Sequence, residues 1–265
     1  DYIKLLEGGL ARLYHTNSHE YLSYLDNLIR MGMKHPENAT TRQNKFLKLF
    51  YYTICMNDIE KVNTNYNKNF NTIEEAVLSF ANIKWFMEEL RFLVTLRRNQ
   101  LCQTTQWLKV SDEAEIELYG CYSADEIHLL LEDKLGRWQV LGTQYNHENK
   151  FAMVFVTLNK SDKEYSPSTL YEDYAISQEQ FHWQSMNQVR QDSEEGRRIT
   201  EQRTNGWKFI LFVRDAKQDE YGNTNAYYCL GFMNYHSSHG ECPMNVVWNM
   251  QNNIPGFILE NAKAI

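Results

Sequence analysis

The chain has 265 residues, room for one large domain or two small ones with a sizeable buried core. With 34 acidic against 27 basic residues its formal net charge is −7, which excludes a uniformly basic nucleic-acid glove. Five scattered cysteines, Cys55, Cys102, Cys121, Cys229 and Cys242, never pair as CxxC, which argues against a disulfide framework or zinc ribbon and for reduced thiols in a cytoplasm. No apolar run approaches the roughly 18 residues that cross a membrane. The start at Asp1, without a methionine or an apolar leader, is expected of a fragment cut from a longer protein.

Residues 1–100 carry helical periodicity. "HEYLSYLDNLIRM" and "RQNKFLKLFYYTI" are amphipathic. "TIEEAVLSFANIKWFMEELRFLVTLRR" sets Ile73, Val77, Phe80, Trp85, Leu90 and Leu93 on one face, and Thr72 with Glu75 has the form of a capping box at its start. These stripes are expected in a core. "HPENATTR" and "NTNYNKNFN" read as polar loops. "SADEIHLLLED" predicts one more helix, with Ser123 as cap and Glu126 at its third position.

From about residue 150 the period shortens. "KFAMVFVTLN", "GWKFILFVRD", "NAYYCLGFMNYHS" and "PMNVVWNM" are short apolar or alternating runs bounded by turn residues. The reading is α+β: a helical domain over 1–145, then a mostly antiparallel β-barrel over 146–265.

Catalytic motifs are mostly missing. There is no P-loop, no HExxH and no GxSxG. "HSSHGEC" gathers His236, His239, Glu241 and Cys242, but its spacing is that of a polar loop, and no metal or cofactor is expected. A cryptic nuclease would need clustered carboxylates or histidines that the sequence does not offer.

The segment "YSPSTLYEDYAISQEQFHWQS", residues 165–185, has neither the period of a helix nor the alternation of a strand. It precedes a window, 186–217, with seven basic residues against five acids, net positive on an acidic chain. Aromatics beside local positive charge suit an anionic ligand with stackable bases. The residues expected to bind nucleic acid are Lys160, Tyr171, Tyr174, His182, Trp183, Gln184, Ser185, Arg197 and Arg198. Gly196 would permit a tight turn that presents both arginines outward. The competing reading is a rigid, hydrogen-bonded corner whose rings pack inward.

"FVTLNKSDKEYSPSTLYEDYAISQEQFHWQS", "SEEGRR", "ILFVRDAK" and "YYCLGFMNYHSSHGECPMNVVW" together resemble an uncharacterised domain at the C-terminal end of bacterial superfamily II (DEAD/DEAH-type) helicases. Those proteins often carry a phospholipase D-like nuclease domain and look like restriction or phage-defence enzymes. The resemblance is strong from Phe155 to Trp248 and faint through the helical half. Two departures stand out: "SHGE" at Ser238–Glu241 replaces "SHEG", and Glu195-Gly196 replaces Thr-Gly. The resemblance places the chain in a helicase-like defence protein, but the domain has no established activity to carry over; with the catalytic motifs missing and aromatics beside a basic window, the reading is a non-enzymatic module with nucleic acid (DNA) and the rest of the helicase chain as expected partners. An SRA- or PUA-like barrel reading modified or flipped bases would fit that setting. The alternative is a structural or protein-interaction module that docks on and regulates the helicase core.

Overall fold

The computed structural model describes residues 1–101, 106–136, 142–159 and 173–262. The chain divides into two compact units, residues 1–107 with 113–138 and residues 108–112 with 139–265. The expected division lay at 145/146.

The first unit holds α1 (Tyr2–Leu13), α2 (His19–Arg30), α3 (Thr41–Cys55), α4 (Ile59–Tyr66), α5 (Ile73–Ser79), α6 (Lys84–Gln100) and α7 (Ala124–Glu132). Short strands β2 (Glu115–Glu117) and β3 (Cys121–Tyr122) belong to it, and β1 (Trp107–Lys109) begins at its last helical connection. Capping chemistry sets the starts of most of these helices. The side chains of Ser18, Thr40, Asp58, Thr72 and Ser123 each accept the N–H three residues on, from Tyr21, Gln43, Lys61, Glu75 and Glu126. Each such cap contributes about 1 kcal/mol. Full capping boxes form at Thr40/Gln43 and at Ser123/Glu126. At Thr72 only half the box forms, because the Glu75 carboxylate accepts from Asn71 instead, at 2.7 and 3.0 Å.

The single helix expected from Thr72 onward is broken. α5 ends at Ser79, a 3₁₀ turn spans Phe80–Asn82, and Ile83 is extended before α6 begins. Packing explains the break. The turn lets Phe80 and Phe86 both enter the core, with ring centroids 5.1 Å apart and Phe80 6.1 Å from Phe50. Helix α3 is the centre of this core, burying Phe46, Phe50, Tyr51 and Tyr52. Its C-terminus is closed by Arg12, whose guanidinium donates to the carbonyls of Thr53 at 2.7 Å and Ile54 at 2.8 Å.

The second unit holds β4 (Thr143–Asn146), β5 (Phe151–Thr157), β6 (Tyr174–Ala175), β7 (Gln180–Gln184), α8 (Glu194–Thr200), α9 (Gln202–Asn205), β8 (Lys208–Arg214), β9 (Tyr227–His239), β10 (Asn245–Met250) and α10 (Gly256–Ala262). Its strands follow the order β4-β5-β8-β9-β10-β7-β6. All neighbours pair antiparallel except β5 with β8, which are parallel from Phe151↔Lys208 to Thr157↔Arg214. The sheet is mixed and, among the described residues, open at β4 and β6, so the expected barrel closure is not seen. All seven residues of "FAMVFVT" are buried, as in a parallel strand covered on both faces.

Strands β7, β9 and β10 behave differently. Phe181, Trp183, Met233, Val246 and Trp248 are buried, and their neighbours Gln180, Gln184, Asn234, Asn245 and Asn249 are half-buried. That alternation gives a packed face and a polar face. On the packed face the Trp248 ring lies 4.8 Å from Phe209 and 6.3 Å from both Trp183 and Tyr235. Among the described residues no helix is long and apolar enough to cross a membrane.

Candidate nucleic-acid interface

The register of β7, β10 and β9 fixes which polar side chains stand together. Asn249 pairs with Gln180 on one side and with Asn234 on the other, so three carboxamides form a row across three strands. Gln180 Nε2 donates to Asn249 Oδ1 at 3.0 Å, and Asn234 Oδ1 accepts from Gln251 at 3.3 Å. Four residues along the strands a second cross-strand pair repeats the pattern: Gln184 Nε2 donates to Asn245 Oδ1 at 2.9 Å. Between the two lie His182 and Val247. Tyr174, paired with His182 across β6 and β7, stacks on its ring at 4.6 Å and 18°.

Next to Asn234 the surface opens into a groove of about 460 Å³, lined by Gln202, Arg203, Gly206, Trp207, Lys208 and Asn234. Gln202 is buried and holds the wall together, donating to Trp207 O at 3.0 Å and accepting the Tyr235 N–H at 3.0 Å. The exposed Arg203 donates its Nε to Tyr235 O at 2.9 Å, and Lys208 donates to Val110 O at 2.7 Å. Those bonds hold both cations at the groove while the Arg203 guanidinium keeps further N–H groups for a ligand.

The residues expected from sequence fall in three places. Tyr174, His182 and Gln184 come together on the polar face. Trp183 is 3% exposed on the opposite, packed face, as strand alternation requires. Ser185 is fully buried, its hydroxyl accepting the Met244 N–H at 2.9 Å and donating to Met186 O at 3.2 Å. Lys160 and Tyr171 lie outside the described residues.

Arg197 and Arg198 are not set out by a turn. Gly196 belongs to α8, capped by Ser193, and is required for a close approach: a Cβ there would stand 1.9 Å from Arg190 O. Arg198 pairs with Glu194 and lies 4.9 and 5.0 Å over the rings of Tyr145 and Trp207, its side chain 13% exposed. Arg197 is exposed and donates to Asp192 O. Glu195 accepts from Tyr145 Oη at 2.9 Å. Burial and that carboxylate both push the Tyr145 phenol well above its ordinary range. Arg198, Tyr145, Trp207 and Glu195 thus form an inward-looking cluster, and Arg197 stands outside it on the surface.

In "HSSHGEC", His236 falls at a β-bulge between the pairs Tyr235↔Trp248 and Ser237↔Val247. Among the described residues no group of three histidine, cysteine or carboxylate side chains is arranged to hold a metal ion. Burial raises the thiols of Cys55 and Cys121 to about 12, and Cys242 is exposed.

Sequence reasoning did not name Gln180, Asn234, Asn245 and Asn249; Arg203 and Lys208 lay in its basic window 186–217 without being singled out. The signal was there in "NVVWNM", where asparagines four apart flank buried positions and share a strand face.

Fold and face together define a two-unit α+β protein with an open, half-polar mixed sheet. Residues 116–261, more than half of the chain, match the family described as "Domain of unknown function (DUF3427)", and the chain belongs to that family. No curated protein matches it.

Proposed function

We propose that the second unit is a non-catalytic module that recognises nucleic acid, and that it serves a helicase-like defence protein. The observation that carries this reading is the continuous band on one sheet face: Arg203 and Lys208 at the groove, then Asn234, Asn249 and Gln180, with Tyr174 on His182 beside them. Cations suit phosphates, carboxamides suit base edges, and a stacked aromatic pair suits a base face. The resemblance of Phe155–Trp248 to helicase C-terminal domains supports the setting. The net charge of −7 argues for modest affinity, since counterion release at two cations is small.

An SRA- or PUA-like barrel that swallows a flipped base is the finer expectation, and it calls for an enclosed aromatic pocket. Trp183, the aromatic expected to wall such a pocket, packs against Trp248. The open face is the better candidate surface.

Fluorescence anisotropy of the 265-residue chain tests the reading with single-stranded DNA, single-stranded RNA, plain duplex and base-modified duplex, at about 50 and about 200 mM salt. Saturable binding that weakens with salt is expected. No binding at the lower salt overturns the reading in favour of a module that docks on the helicase core. Exposed Met31 and Phe92, each 65% accessible in the first unit, favour that second reading for the helical half.

A further inference from the structure

Arg214 stands where β5 and β8 leave the sheet. The parallel pair ends at Thr157↔Arg214, and both residues are buried. Strand alternation sets Phe155 and Thr157 on one face of β5, with their partners Phe212 and Arg214 beside them on β8. Rings close round the cation. Phe155 stacks on Phe212 at 5.3 Å and meets Tyr227 edge-on at 5.1 Å, and the guanidinium of Arg214 lies 4.4 Å over the Tyr227 ring. Its Nε donates to Thr157 Oγ1 at 3.0 Å and its Nη1 to Asn225 O at 3.3 Å.

Every one of these partners is neutral, and among the described residues no carboxylate pairs with Arg214. The carboxylates nearest in sequence are engaged elsewhere. Asp215 accepts from Asn159 Nδ2, and Asp219 accepts the N–H groups of Tyr221 and Asn223 at 2.9 and 2.8 Å. By contrast Arg42 holds Glu20 and Glu115, Arg98 holds Asp26, and Arg198 holds Glu194. A charge taken out of water without a counter-charge is costly. A guanidinium also carries five N–H donors. Nη2 has no hydrogen bond among the described residues, and it is not sealed from solvent. A missing negative charge and spare donors are both met by an oxygen anion, which guanidinium fits better than any other side chain does.

We infer that Arg214 is the centre of a binding site for a small or terminal oxyanion group, a phosphate or a carboxylate, at the carboxyl ends of β5 and β8. In open sheets ligands gather outside the carboxyl ends of parallel strands. Burial sets the size of the ligand. Arg214 is only 9% exposed, too deep for the backbone phosphates of a duplex but open to a free anion or to the phosphate at a strand end. The site shares no residue with the groove or the carboxamide row, so it stands or falls apart from the reading of that face.

The test is thermal melting of the full chain in chloride, phosphate, sulfate and acetate at matched ionic strength. The expected result is a saturable rise with at least one oxyanion and none with chloride, about 2–4 °C at roughly five times the Kd. Arg214→Met removes the charge and keeps the length. It should melt at or above the parent in chloride, because the uncompensated charge is gone, and should lose the response. A short oligonucleotide with and without a 5′-phosphate separates the sources. A rise with the phosphorylated form alone assigns the site to a strand end, and a rise with free anions but neither oligonucleotide assigns it to a small molecule. Equal melting of the parent in all four salts overturns the inference. So does a rise that stays linear in concentration and persists in Arg214→Met, which is general salt stabilisation. If Arg214→Met melts far below the parent, Arg214→Lys decides, since it keeps the charge without the fork. A response needing about tenfold more anion supports the site, and a response equal to the parent's overturns it.

Discussion

His182 and Trp183 are neighbours in the chain and opposites in the fold. His182 lies under Tyr174 on the polar face, and Trp183 faces Trp248 in the core. Trp183→Ala should therefore cost about 3–5 kcal/mol of stability, seen as a large drop in the thermal midpoint. A variant that melts like the parent would show that the ring is not packed as described. Gly196 makes a second sharp case. Its added Cβ would strike the Arg190 carbonyl oxygen, an immobile backbone atom. Gly196→Ala should destabilise by about 3 kcal/mol or more, the upper end of what overpacking costs, because the struck atom is backbone. At Gly206, φ is +80° but the space is open. There the change to alanine should cost only the left-handed penalty, about 1–2 kcal/mol. Equal melting of the two variants would refute the contrast.

Among the elements, α7 couples a helix start to a buried charge. Its Glu126 completes the capping box through Ser123 N–H at 2.8 Å, receives the Thr53 hydroxyl, and meets His15 Nε2 at 2.8 Å. Burial alone would raise this carboxyl, but His15, Thr53 and Ser123 together outweigh it and hold the value below the ordinary 4.5. A carboxyl with a lowered folded value stabilises the fold above the ordinary value, and that stability is lost as pH falls through the folded one. Urea midpoints of the parent chain should thus fall as pH drops below about 4.5, and Glu126→Gln should be less stable at neutral pH with a flatter acid limb. Parallel acid limbs would exclude Glu126 as the cause. The box at Ser123 was legible in sequence because capping is local, set by two side chains three residues apart. The break at Phe80–Ile83 was not, because it is decided by ring packing against Phe50, which lies far back in the chain on α3 and shares no local pattern with Phe80. The strand face was legible only in part. Periodicity shows which residues share a face of one strand, but the row Gln180–Asn249–Asn234 exists only through register between strands far apart in sequence.

For the whole molecule, charge and topology set the limits. Two groove cations on a chain of net charge −7 predict a shallow salt dependence. For a single strand the slope should be about −0.7 per neutralised phosphate, and Arg203→Ala should reduce it by about that amount while weakening all sequences alike. An unchanged slope would remove Arg203 from the interface. The α+β class was legible because helical and strand periods separate cleanly along the chain. The open sheet was not, because a fully buried strand such as β5 reads the same in a barrel and in a parallel pair.

Strand β10 has one neighbour, β9, that joins it to the β8–β5–β4 side, and another, β7, that carries β6. Everything from Tyr174 to Gln184 is thus attached to the rest of the sheet through six residues that come more than sixty positions later, since Gln180 waits for Asn249. During synthesis, β6 and β7 emerge early and have no ladder to join until β10 arrives. The β7 edge stays unsatisfied in that interval, and a ribosome stalled before Asn245 should leave residues 174–184 open to protease and to rapid amide exchange, with protection appearing in one step once "NVVWNM" is free to pair.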